Sequence, residues 1–96
     1  MIRVVKLSFD SRYTDQFRQL FADRKEMIRN FPGCTWLELW QDHADPNIFY
    51  TYSLWNEASD LEEYRISDLF QDTWAQVKQW FSAPPQAFSA DKLLTL

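Results

Sequence analysis

Three segments of this sequence have the β-branched and aromatic composition of β-strands, and each carries large apolar side chains at both sets of alternating positions. They are Ile2 to Phe9, Cys34 to Gln41 and Ile48 to Trp55. Successive side chains of a strand point to opposite faces, and a sheet face left to solvent is normally polar. Single exposed aromatics are ordinary, but all three strands share this pattern. The sequence therefore predicts a sheet that is buried on both faces.

A helical repeat separates the first two strands. Large side chains recur from Phe17 on one face, while Asp15 and Gln19 fall elsewhere. The segment Asn30 to Gly33 ends this helix, because proline disfavours helix before it and glycine permits a positive φ. The predicted inner face comprises Phe17, Leu20, Phe21, Arg24, Ile28 and Phe31.

A second helical stretch follows the third strand. Asn56 could cap it, or Ser59 could do so with Glu62 completing a capping box. Ser67 could cap a further segment, whose apolar residues again have helical spacing. These residues are Phe70, Trp74, Val77 and Phe81. After a break at Ser82 to Pro85, the residues from Ala87 to Leu96 have the pattern of a last strand.

The resulting order, β-α-β-β-α-β, predicts one α+β domain over residues 1–96 with a ferredoxin-like plan. The turn-forming residues 42–47 make strands two and three an antiparallel hairpin within a four-stranded antiparallel sheet. Both helices cover one face of that sheet, so its other apolar face needs a different cover. A second copy of the chain, packed sheet to sheet, would hide it. We therefore expect a homodimer.

Composition narrows the class of protein. Eight Phe, five Trp and four Tyr residues must fill a core, line a ligand pocket or cover an interface. A net charge of −4 without a basic stripe argues against a nucleic-acid partner. A single cysteine forms no intrachain disulfide, and no segment has the length and apolarity of a membrane span. We expect a cytoplasmic protein with no membrane partner.

The usual reactive residues are poorly placed for catalysis. His43 lies in the hairpin turn without nearby metal ligands, so we predict a solvated histidine and no metal site. Cys34 has no neighbouring base, and a small core residue is the better interpretation. Lys6 and Glu38 could form a buried pair, but we favour positions at the edge or rim of the sheet.

Trp55 and Asn56 lie where strand three meets the following helix. Asn56 could cap that helix or donate to a substrate oxygen, and the two roles are compatible. Trp55 could stack on a flat substrate. Tyr52, Tyr64 and Trp74 could point into the space between sheet and helices, where packing is the commoner role and a ligand pocket the alternative.

Four stretches of this sequence resemble the antibiotic biosynthesis monooxygenase family. They are Ile2 to Lys6, Phe31 to Cys34, Tyr52 to Ala58 and Tyr64 to Phe70. The resemblance covers nearly the whole chain. The resemblance implies a dimeric α+β barrel, in which two ferredoxin-like sheets pack together. Several members of the family oxidise quinols or polyketide-like aromatics with oxygen and without metal or flavin, whereas others have no known activity.

The resemblance therefore implies a monooxygenase that needs no cofactor, with O2 and a small aromatic or quinol-like molecule as its partners. The candidate catalytic residues are Asn56, Trp55 and Tyr64, and the candidate substrate-binding residues are Tyr52, Phe70, Trp74 and Trp36. The alternative is a non-catalytic dimeric domain that binds a small ligand. Haem-degrading members carry an asparagine in strand one and a histidine in the second helical region. This sequence has neither, which disfavours haem degradation.

Overall fold

The computed structural model describes residues 1–96. Four strands, three helices and two short 3-10 turns follow one another along the chain. The strands are β1 (Ile2–Ser8), β2 (Cys34–Gln41), β3 (Ile48–Trp55) and β4 (Gln86–Ala90), and the helices are α1 (Thr14–Arg29), α2 (Ala58–Ile66) and α3 (Asp68–Val77). The 3-10 turns, Ser11–Tyr13 and Lys78–Trp80, precede α1 and extend α3.

The strands form one antiparallel sheet in the order β2-β3-β1-β4. This arrangement confirms the predicted ferredoxin-like α+β fold and the hairpin between β2 and β3. The last strand is shorter than expected, since pairing with β1 ends at Ala90. Beyond it, Leu93, Leu94 and Leu96 are exposed.

The core lies between the sheet and the helices. Phe9, which follows β1, packs against Phe17 of α1 with ring centroids 4.3 Å apart, and Phe49 of β3 lies 5.2 Å from Phe17. Leu7 and Val77 complete this buried cluster. A smaller cluster of Cys34, Trp55 and Leu61 lies at the other end of the same layer. Apolar residues at helical spacing on α1 thus bury the face that the sequence predicts.

The opposite side of the sheet, which we call the open face, is covered by no helix. Strand pairing places Val4 beside Tyr52 and Trp36 beside Leu54 on this side. Trp36 is 50% exposed and Phe88 57% exposed. The large apolar residues of the open face are Ile2, Val4, Trp36, Trp40, Tyr50, Tyr52, Leu54 and Phe88. Both faces of the sheet are therefore apolar, as the strand patterns predict.

Because β2 contains an irregularity, Cys34 and Trp36 do not lie on the same face of the sheet, as simple alternation would predict. Simple alternation puts Cys34 and Trp36 on the same face, but Cys34 pairs with Trp55 while Trp36 pairs with Leu54. The extra residue between them is a bulge, which reverses the side to which the strand points its residues. Cys34 is consequently buried on the helix side and Trp36 lies on the open face.

The helix caps are partly as predicted. Ser67 caps α3 by accepting a hydrogen bond from the Phe70 N–H at 3.2 Å. At the start of α2, however, neither Asn56 nor Ser59 is the cap: Glu57 is, and it forms a capping box with Asp60. The Asp60 side chain lies against Gly33, whose φ of 89° favours glycine. This contact fixes where the chain turns into α2.

Candidate functional site

A cavity of about 300 Å³ lies between the sheet and the helices. Its walls come from all four strands or the segments beside them and from all three helices. Six aromatic side chains contribute, namely Phe17, Phe21, Trp55, Tyr64, Phe70 and Trp74. The polar contribution is limited to Arg3, Thr51, Ser53, Arg65 and Thr73. An apolar cavity with a few polar groups is the usual form of a small-molecule site, and the volume is at the lower end of the range for such sites, ~300–1,000 Å³.

Tyr64 of α2 stands at the centre of the aromatic wall. Its ring stacks on Trp55 at 5.3 Å and meets Phe70 edge-on at 5.2 Å. Burial, with a smaller effect of the Cys34 thiol, raises the pKa of Tyr64 to about 12. The phenol therefore stays protonated at physiological pH and can donate a hydrogen bond. None of the side-chain hydrogen bonds of the chain involves its hydroxyl, and that oxygen is not among the fully buried polar atoms, so water or a ligand can accept the bond.

Trp55 forms a fixed part of the wall. It is only 2% exposed, and its indole N–H donates to the Ser53 hydroxyl at 2.9 Å. Because that donor is already paired, Trp55 can contact a ligand through the surface of its ring but has no free N–H to donate. The same bond pairs Ser53, which is the one buried polar residue of the chain.

Phe70 and Trp74 bring α3 to the cavity. They are four residues apart, so they lie on one helix face, and their rings stack at 5.6 Å and 12°. The Ser67 cap sets where α3 begins and hence the direction of this face. Together with Tyr64 and Trp55, these two residues are the sequence-predicted site residues that the structure brings into one cavity.

Three predicted site residues lie outside the cavity lining. Tyr52 and Trp36 are on the open face, because the register pairs Tyr52 with Val4 and Trp36 with Leu54. Tyr52 stacks there on Trp40 at 5.0 Å, so the expectation that it points toward the helices is wrong. Asn56 is exposed beyond β3, and its backbone N–H donates to the Gly33 carbonyl at 2.8 Å.

Two arginines that line the cavity, Arg3 and Arg65, were not predicted as site residues from the sequence. Arg3 alternates with Val5 and Leu7 along β1, so its position on the helix side could have been read from strand periodicity. Its guanidinium donates to the Ser89 hydroxyl at 3.2 Å. Arg65, one residue after Tyr64, pairs with Glu62 at 3.0 Å. Burial, followed by the nearby charge of Arg65, lowers the pKa of Arg3.

The other reactive residues lie elsewhere. His43 is exposed in the hairpin turn, and no cluster of three or more His, Cys, Asp or Glu side chains could hold a metal ion. Burial raises the pKa of the Cys34 thiol, which makes it less nucleophilic. Glu38 does not pair with Lys6 but accepts hydrogen bonds from the indoles of Trp36 and Trp40, which lower its carboxyl pKa.

Comparison with known proteins gives a family match. Residues 1–76 match the family model described as antibiotic biosynthesis monooxygenase. No curated protein is significantly similar to the chain in sequence. The matched region includes the whole of α1, α2 and the hairpin, and it ends within α3. No helix of the chain combines the length and the apolarity that crossing a bilayer requires.

Solved structures share the fold over nearly the full length. A Nitrosomonas europaea protein whose name assigns it to the antibiotic biosynthesis monooxygenases has a TM-score of 0.89 and 18% identity, covering 97% of this chain and 98% of its own. A Caulobacter crescentus protein named likewise has the same score and identity, covering 97% and 89%. A conserved protein from Methanosarcina mazei has a TM-score of 0.84 at 20% identity, covering 91% and 87%. At such identities the likeness establishes the fold alone.

Proposed function

Because this chain belongs to the antibiotic biosynthesis monooxygenase family, we propose that it is a monooxygenase that oxidises a small aromatic or quinol-like compound with O2 and needs no cofactor. The observation that supports this proposal is the aromatic cavity between sheet and helices, which is lined in part by Tyr64, a tyrosine whose hydroxyl has no hydrogen-bond partner within the chain. The cavity provides ring surfaces for a flat substrate and a hydrogen-bond donor for its oxygen.

The reaction requires a substrate that supplies its own electrons. Loss of a proton from a phenol, quinol or anthrone leaves an electron-rich anion, which transfers one electron to O2. Recombination of the two radicals forms a carbon–oxygen bond. For a methylene carbon of the anthrone type, loss of water then gives a carbonyl, so that CH2 and O2 become C=O and H2O. The protein must hold the ring, stabilise the oxyanion and exclude water.

We assign these tasks to four residues. Tyr64 donates to the substrate oxygen, and as a neutral phenol with a pKa of about 12 it acts as a donor and not as the base. Phe70 and Trp74 hold one side of the ring, and Trp55 closes the cavity behind Tyr64. No role is proposed for Asn56, Tyr52 or Trp36, since none of them lines the cavity.

The functional unit that we propose is a homodimer. The open face carries a continuous set of large apolar side chains, and isolated soluble chains rarely leave such a surface bare. A second copy packed sheet to sheet would bury both open faces. Each cavity would remain between the sheet and helices of its own chain.

The alternative is a dimeric domain that binds a small ligand without turning it over. One observation favours it, namely that no His, Asp or Glu side chain lines the cavity to accept a proton. Under this alternative the same four residues bind the ligand, and O2 has no part.

Oxygen uptake distinguishes the two functions. Wild-type protein is assayed with an oxygen electrode against a panel of quinols and anthrones, beside Tyr64→Phe. Loss of one donor to a developing oxyanion should lower kcat/KM by about 10- to 100-fold, somewhat below the ~10²–10³ of a fully enclosed oxyanion hole. Tyr13→Phe is the matched control, because Tyr13 packs on Trp80 and does not line the cavity. No uptake with any compound, while ligands still quench tryptophan fluorescence, would favour the binding domain.

A further inference from the structure

The charged groups of the cavity are all of one sign. Arg3 and Arg65 line it, and no carboxylate does. The chain as a whole carries a net charge of −4, with 14 acidic residues against 10 basic ones. Arg65 is paired with Glu62 at 3.0 Å, so the uncompensated positive charge of the cavity is that of Arg3.

Arg3 has no anionic partner of its own. The ion pairs of the chain join Arg12 to Asp10, Arg24 to Asp72 and Arg65 to Glu62. The one side-chain hydrogen bond of Arg3 goes to the neutral hydroxyl of Ser89, at 3.2 Å. A guanidinium has five N–H donors, so most of the donors of Arg3 remain free.

The surroundings of Arg3 make its charge costly. Arg3 is half-buried, and Arg65 lies near enough to lower its pKa further, while Glu62 offsets only part of this repulsion. A cation that is partly desolvated and repelled by a second cation is stabilised when an anion approaches. The arrangement is thus complementary to a negatively charged group and not to a neutral one.

We propose that the cavity takes its aromatic ligand as an anion, with a phenolate or carboxylate oxygen held by Arg3 and Arg65 and the ring held by Phe70 and Trp74. This inference rests on the proposed function in taking the cavity as the ligand site, but it does not depend on turnover. The volume of about 300 Å³ suits two fused rings, since an apolar cavity of ~150 Å³ accommodates benzene.

The proposal also accounts for ionisation without a base. Opposite charges nearby favour the charged form of an acid. Two guanidinium groups therefore lower the pKa of a bound phenol, and its proton leaves to solvent without a residue that accepts it.

The carboxylate form is tested with two probes of equal shape, 2-naphthoate and 2-naphthamide, whose binding is measured by calorimetry. We expect wild-type protein to bind the naphthoate about tenfold more tightly, as a partly screened charge-assisted hydrogen bond would give. Arg3→Gln should remove this preference, and Arg3→Lys, which keeps the charge, should retain most of it. Arg12→Gln is the control, because Arg12 is exposed, pairs with Asp10 and does not line the cavity.

The phenolate form is tested with 4-nitrophenol, whose ionisation is visible in its absorption spectrum. Binding to wild-type protein should shift its titration to lower pH, and Arg3→Gln should reverse that shift. A charge preference with either probe supports the proposal and identifies which oxygen is recognised. Equal affinity for the naphthoate and the amide, or no binding of either, together with an unshifted nitrophenol titration, overturns it. Absence of oxygen uptake would refute only the oxygenase, because these measurements need no reaction.

Discussion

At the scale of single residues, the cavity depends on which polar groups are already paired. The Trp55 indole and the Ser53 hydroxyl are paired with each other at 2.9 Å, so they add rigidity and no recognition. The Tyr64 hydroxyl and most of the Arg3 donors are free. Free donors in an apolar cavity are costly unless a ligand or water meets them. We therefore propose that these two residues recognise the polar group of a ligand.

The buried phenol of Tyr64 predicts a loss of stability at high pH. Its pKa is about 12 in the folded chain and about 10 when unfolded. Between these values the folded chain keeps a proton that the unfolded chain releases, so the free energy of unfolding falls as pH rises. Urea unfolding at about pH 9 and about pH 11.5 should show wild-type protein losing about 2 kcal/mol more than Tyr64→Phe.

This comparison isolates Tyr64, because the raised pKa values of Tyr50 and Cys34 are common to both proteins. Equal losses in the two proteins would show that Tyr64 ionises as freely in the folded chain as in the unfolded one.

At the scale of elements, two local features decide where side chains point. One assigns two β2 residues to opposite faces of the sheet, and the other brings two cavity residues together. The bulge between Cys34 and Trp36 turns Cys34 inward while leaving Trp36 on the open face. The break at Ser67 separates α2 from α3, so that Tyr64 on one helix meets Phe70 on the next at 5.2 Å. Ser67 joins the two helices, since it accepts from the Phe70 N–H and donates to the Tyr64 carbonyl at 2.6 Å.

Removal of that connection should weaken the fold measurably. Ser67→Ala loses both hydrogen bonds, and we expect a destabilisation of about 1 kcal/mol, the usual cost of a lost N-cap. Asn56→Ala is the matched control, because Asn56 is exposed and caps no helix. Chemical denaturation of both variants checks the difference. If Asn56→Ala were the more damaging change, Asn56 would be the structurally important polar residue of this region.

At the scale of the whole molecule, the open face is an apolar side of the sheet that no helix of the chain covers. Phe88 of β4 and Trp36 of β2 lie near its two edges, and both are at least half exposed. Glu38 lies among these aromatics, hydrogen-bonded to the indoles of Trp36 and Trp40. Alternation along the strands puts this face on the side of the sheet opposite the cavity, so assembly through it would leave the cavity walls intact.

A charge on the open face should separate the proposed dimer. Phe88→Asp places a carboxylate where we propose that the second copy packs, and sedimentation at micromolar concentration should then show single chains in place of dimers. Ile66→Asp is the control, because Ile66 is similarly exposed, at 68%, but lies on α2. A wild-type chain that sediments alone would refute the homodimer and leave the cavity proposals standing.

Strand and helix periodicity determined much of this protein from sequence alone. The order of elements, the hairpin, the helix side of Phe17 and Ile28, and the Ser67 cap all follow from local spacing and local hydrogen bonding. Phe70 and Trp74 were identified for the same reason, since residues four apart share a helix face. The order of elements also predicted the fold, and the family resemblance added the expected class of reaction, which periodicity cannot supply.

Only the tertiary structure decided which candidates share a cavity. Tyr52 and Trp36 have the composition of pocket residues, but the pairing register and the β2 bulge direct them to the open face. Arg3 and Arg65 are 62 positions apart in sequence, and they line one cavity only because α2 packs on the sheet. Register and packing are long-range properties, because a shift of one residue moves every side chain of a strand to the other face.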